Sequence, residues 1–226
     1  MREPATSRPR LRVTLSYLLL LALSTIVLTI LNDAAATKVV LHASTNLHNL
    51  LHGHVGTLFS SALIIGDDTV AWGVLIMFGA LLALSELRFG GRRLLAVFLA
   101  GHIGATLLVA IGLWIGVHQD WLPDSIASAE DVGISYGAMA LVGALIASIP
   151  SDFRFLWAAG WSALAIDAVL AGRTFTNVGH LLALAIGLAL GYRMLKAADT
   201  PRRRLTWIEG ALLALAVLLS AALLIG

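Results

Sequence analysis

Ser135 and His180 are the pair of side chains in this sequence whose types could do nucleophilic chemistry together. A serine hydroxyl is a weak nucleophile and attacks a carbonyl only when an imidazole within hydrogen-bond reach takes its proton. Ser135 stands between glycines in GISYGAMALVGAL (133–145), and His180 stands in VGHLLALAIG (178–187). Both stretches also read as ordinary packing segments. Gly133, Gly137, Ala140, Gly143, Ala144 and Ala147 describe a helix adapted for close approach, in which serine is one more small residue. A lone histidine in such a setting can simply bond a carbonyl. The choice depends on whether the chain brings the two side chains to one level.

The elements that would hold them are membrane helices. The chain has 226 residues, 59% of them hydrophobic and 12% charged, with a mean hydropathy of +0.90. A soluble domain of this length does not carry that composition. There is no cysteine, which excludes disulfides, a thiolate nucleophile and a cysteine metal site. The arginines fall in short clusters between apolar runs, not in a basic stripe interleaved with aromatics, so no nucleic-acid partner is expected.

Seven runs are long and apolar enough to be spans, near 12–31, 69–86, 92–116, 133–149, 153–172, 176–195 and 206–225. The first is longer than a usual signal-peptide core and is read as a retained anchor in spite of the AAA at 34–36. With the N-terminus inside, the inner segments hold Arg2, Arg8, Arg10, Arg12, Arg88, Arg92, Arg93, Arg154, Arg193, Lys196, Arg202, Arg203 and Arg204, against Lys38 and Arg173 outside. One missed span would invert every later segment and destroy this bias. The expectation is therefore an N-terminus in the cytoplasm and an external C-terminus, in the plasma membrane if the source is bacterial.

In this topology the fourth and sixth spans both run inward. Ser135 then lies in the first turn of one and His180 in the second turn of the other, at one level near the outer surface. His102, Asp167 and Glu209 are the other ionisable groups within spans, each a site hypothesis by its cost in lipid. Asp167 could serve a proton relay or bond a neighbour such as Asn177. Tyr136, Thr176 and Asn177 are neutral partners at the outer ends. The first outer segment, about 32–68, contains STNLHNLLHGHVGTLF, whose Leu47, Leu51, Val55 and Leu58 mark one helix face and predict a helix over about 46–59 lying along the interface. His48, His52 and His54 share this stretch, but no carboxylate completes a zinc motif and no metal is expected.

These segments resemble the rhomboid family of intramembrane serine proteases, which has a G-x-S-G motif at the start of its fourth span and a histidine in its sixth. GISYGAMALVGAL and VGHLLALAIG align with those two helices without a gap, and SELRFGGRRLLAVFLAGHIGATLL (85–108) is similar to the family's charged turn between second and third spans. The resemblance covers about residues 60–195. It implies an all-α polytopic membrane protein with a rhomboid-like bundle of six core spans plus one C-terminal span. The divisions are a cytoplasmic N-terminus (1–11), the six-helix domain (12–195, with 32–68 a half-embedded loop), and a linker with the seventh helix (196–226).

It also implies catalytic roles for Ser135 and His180, no cofactor, and partners that are the bilayer and transmembrane segments of other proteins; Gly133, Tyr136, His102 and Asn177 are candidate supporting residues. Tyr136 departs from the family pattern, standing where a glycine follows the serine. Val70 and Val74 fall where the family has a histidine and an asparagine that help bind the oxyanion. Two functions remain open: an intramembrane serine endopeptidase, and a catalytically inactive relative that binds transmembrane partners.

Overall fold

The computed structural model describes residues 11–65, 71–197 and 205–225. Its regular secondary structure among these residues is all helical, with no strand. Helix α1 is Arg12–Ile30; α2 (Asp33–Ala43), α3 (Leu47–Leu51) and α4 (Thr57–Ser60) follow in the loop; then come α5 (Ala71–Phe89), α6 (Gly91–His118), α7 (Ser135–Ala144), α8 (Ser151–Gly172), α9 (Phe175–Lys196) and α10 (Trp207–Ile225). Helices α1, α5, α6, α8 and α9 are each long and apolar enough to cross a membrane by length and composition. The starts of α7 and α9 and the short helices α2 to α4 lie at one end of the bundle, the loop end. Arg88, Arg92, Arg93 and Arg193 mark the other.

Helix α7 is the exception in length. With the 3-10 turn Leu145–Ala147 it is 13 residues long, about 20 Å at 1.5 Å per residue, against a hydrocarbon thickness of roughly 30 Å. It meets no lipid: every residue from Tyr136 to Ala147 is buried. Helices α5, α6, α9 and α10 surround it, and small residues permit their approach. A Cβ built on Gly101 of α6 would meet Ala140 Cβ at 2.0 Å, and one on Gly143 would meet Leu184 O of α9 at 2.6 Å. Helix–helix association in a bilayer depends on such close packing, since lipid and leucine are equally apolar.

The E-x-R turn has a structural role. Glu86 receives the backbone N–H groups of Val13 and Thr14 and the Thr14 hydroxyl, at 3.1, 2.8 and 2.7 Å. It thereby satisfies donors that the first turn of α1 leaves without intrahelical partners. Arg88 reaches Glu209 of α10 at 3.8 Å, with both side chains 2% exposed. Glu209 also closes a capping box, accepting from Thr206 N at 2.9 Å while Thr206 Oγ1 accepts from Glu209 N. Removing one partner of a buried ion pair costs about 3–5 kcal/mol because the other charge stays buried. Glu209→Gln should therefore lower the detergent unfolding midpoint by several degrees.

The first loop departs from the expected single helix over 46–59. It is three helices and a 3-10 turn at Ser61–Leu63, because Asn46 caps α3 and Gly53, at φ +79°, takes a left-handed conformation that stops it. Leu47 is buried, whereas Leu51 and Val55 are exposed. The loop is tied inward at three places. Tyr17 Oη and Ser24 Oγ of α1 donate to Ala62 O and Leu63 O. Thr45 N donates to Asp131 O at 2.9 Å and Asp131 N to Ser44 Oγ at 2.8 Å. Gly133 N donates to Ser61 O at 2.9 Å.

Candidate functional site

Ser135 is the first residue of α7, and the two residues before it are set by the loop. Gly133 has φ +124°, a region closed to residues with a Cβ, and its N–H is held by Ser61 O. The first α7 bond is Ala138 N to Ile134 O at 2.9 Å, so the N–H groups of Ser135, Tyr136 and Gly137 precede the intrahelical ladder. Ser135 is partly exposed. His180 sits in the second turn of α9, 3% exposed. Both helices begin at the loop end, and their closest approach is backbone to backbone: a Cβ on Gly187 would lie 2.0 Å from Ala140 O.

Neither ring nitrogen of His180 has a hydrogen-bond partner, so His180 is not bonded to Ser135. Tyr136 lies beside the histidine instead. Its ring packs so closely on Gly179 that a Cβ there would fall 2.2 Å from Tyr136 Cζ. It meets the His180 ring edge-on at 5.6 Å, and on its other side the His102 ring lies 6.4 Å away. His102 in turn stacks on Phe98 at 6.0 Å and shares a 3.1 Å hydrogen bond between Nε2 and Ser61 Oγ. Tyr136 thus stands between two histidines, its hydroxyl toward Asp131 and Thr176 but without a well-formed hydrogen bond.

His180 also lines a cavity of about 650 Å³ between α8, α9 and α10, with Asp167, Thr176 and Asn177 among its polar walls and Leu224 closing it from α10. The Asn177 amide donates to Ala168 O at 2.8 Å, joining α8 to α9. Val74, in the first turn of α5, is half-buried in the core and offers no donor; Val70 lies outside the described residues. Among the described residues no group of three histidine or acidic side chains could hold a metal. The exposed His48 and His52 rings lie 4.2 Å apart, tilted by 36° to each other, at the end of α3.

A model of a family described as "Rhomboid-like protein" matches residues 10–200. The chain belongs to the rhomboid-like family. No curated protein and no solved structure matches it. Within this rhomboid-like chain the residues that sequence reasoning passed over are Ser44, Thr45 and Ser61. They form one network: Thr45 Oγ1 donates to Asp131 O at 3.1 Å and lies 3.3 Å from Ser61 Oγ, which meets His102. Their only sequence signal is a set of hydroxyl residues flanking the loop stretch that carries His48, His52 and His54.

Burial pushes the Asp131 carboxyl up to about 6, an effect that the Tyr136 hydroxyl beside it offsets in part, and burial raises Glu130 as well. An acid raised in the fold binds more protons folded than unfolded between its two pKa values. Stability therefore increases as pH falls through about 6 toward the unfolded value, and is lower at neutral pH. The detergent unfolding midpoint of this loop-tied site should rise between about pH 7 and about pH 5. Asp131→Asn should remove most of the rise, with Glu130 supplying the rest.

Proposed function

We propose that this rhomboid-like protein is an intramembrane serine endopeptidase acting on membrane-anchored substrates, with Ser135 as nucleophile and His180 as base. The observation that carries the reading is His180 itself, an imidazole buried with both nitrogens unpartnered, lining a cavity that it shares with Asp167, Thr176 and Asn177, on the helix packed hardest against that of Ser135. An unsatisfied buried polar group costs about 1–3 kcal/mol, and such a cost marks a group kept for chemistry. Catalytic hydrogen bonds in empty sites are often long and tighten when substrate arrives.

In the reaction His180 takes the Ser135 proton as Oγ bonds to the substrate carbonyl carbon. The charge that develops on the carbonyl oxygen needs donors. With valine at position 74, those available are the N–H groups that open α7, which are positive by position at a helix N-terminus. Collapse of the tetrahedral intermediate breaks the C–N bond, and His180 returns the proton to the leaving amine. Water then hydrolyses the acyl-enzyme by the same path. The charge asymmetry of the sequence orients the chain with its N-terminus in the cytoplasm, which puts Ser135 near the outer surface.

A second reading has its own observation. Tyr136 fills the space against Gly179 and presents its ring to His180 where the family's serine motif has glycine. This arrangement suits a non-catalytic relative that binds transmembrane helices. Cleavage of single-span substrates in liposomes separates the two. The protease reading expects cut products from the native chain and none from Ser135→Ala, and Tyr136→Gly should raise the rate by freeing the approach to His180. Binding of the same substrates without cleavage by either the native chain or Tyr136→Gly would select the second reading.

A further inference from the structure

At the arginine-rich end, far from Ser135, helices α6 and α9 leave a cleft of about 470 Å³ between them. Arg93, Ala96 and Ala100 form one wall, Leu190, Arg193 and Met194 the other. The α6 residues recur at i, i+3 and i+7 and the α9 residues at i, i+3 and i+4, so each wall is a single helix face. Arg93 is in the first turn of α6 and Arg193 in the last turn of α9. Two arginines from different helices therefore line one cleft at the helix ends, where lipid headgroups lie. From Arg93 to Ala100 the wall climbs about 10 Å along the helix and becomes wholly apolar. Alanine at 96 and 100 leaves the depth of the slot.

We propose that this cleft binds one anionic glycerophospholipid, its phosphate between Arg93 and Arg193 and one acyl chain against Ala96, Ala100 and Leu190. The axis of the cleft runs from cationic to apolar in the order that such a lipid runs from headgroup to chain. Guanidinium forks match phosphate oxygens bidentately, and basic pockets between transmembrane helices suit such headgroups. The site is independent of the proteolytic reading, since no residue in it touches Ser135 or His180.

The full chain, purified in an uncharged detergent, should bind phosphatidylglycerol about tenfold or more tighter than phosphatidylcholine by native mass spectrometry, and the anionic lipid should raise the unfolding midpoint. Arg93→Gln with Arg193→Gln should weaken phosphatidylglycerol binding about 30-fold, the order set by two basic residues at the membrane surface. Ala100→Leu, which keeps every charge but fills the slot at an exposed position, should weaken it too. Arg92→Gln, an equal loss of charge on the neighbouring exposed residue, should leave it unchanged. Equal binding of the two lipids, the same midpoint shift from inorganic phosphate, or an Arg92→Gln loss matching that of Arg93→Gln would each overturn the assignment.

Discussion

Gly187→Ala should abolish the folded bundle or leave it barely stable, although it adds one methyl group. The new Cβ would stand 2.0 Å from Ala140 O and 2.7 Å from Ala140 C and Cα. These are backbone atoms of α7, so no rotamer change relieves the clash and the two helices must separate. Ordinary overpacking of a core costs about 1–3 kcal/mol; prying apart the central helix pair should exceed that and approach the whole stability of a domain, about 5–15 kcal/mol. Gly160→Ala is the control. Nothing lies within 4 Å of a Cβ there, and alanine gains about 1 kcal/mol of helix propensity over glycine. The pair of unfolding midpoints in detergent should therefore move in opposite directions.

The second large effect joins loss of activity to gain of stability at one residue. His180→Leu removes the imidazole proposed as the base for Ser135, and cleavage should fall by about 10⁴-fold or more, to the level of Ser135→Ala. The double variant should be no worse than either single one, because nucleophile and base act as a unit. Yet the same substitution replaces two buried, unpartnered nitrogens with apolar surface. Its unfolding midpoint should rise, by an amount on the order of 1 kcal/mol in stability. A purely structural histidine would give the reverse, with function kept and stability reduced.

How much of this was legible in sequence follows from the range of the interactions involved. The spanning helices are local and periodic, and the runs near 92–116, 153–172 and 176–195 agree with α6, α8 and α9 to within two residues at each end. The run near 133–149 locates α7 but overstates it, because an apolar stretch ended by Pro150 reads alike whether it meets lipid or lies wholly inside a bundle. In the loop, periodicity over 46–59 ignored the turn that Gly53 makes, and α2 buries none of its residues. The site is split in the same way. Gly143 and Gly187 announce a close helix contact through their spacing. The bond between Ser61 and His102 joins residues 41 apart in sequence and leaves no periodic trace. Tyr136 was visible as a departure from the family motif, but that its ring would lodge on Gly179 required the packed helices.

The proposed protease requires Ser135 to be activated by His180, and covalent labelling tests that directly. A fluorophosphonate reacts with an activated serine hydroxyl, forming a phosphorus–oxygen bond as fluoride leaves, and peptide mass spectrometry then locates the adduct. The expected result is modification of the native chain at Ser135, lost in Ser135→Ala and reduced about 10³-fold or more in His180→Leu. A natively folded chain that takes up no label at Ser135, or one labelled there as fast with leucine at 180 as with histidine, would contradict it.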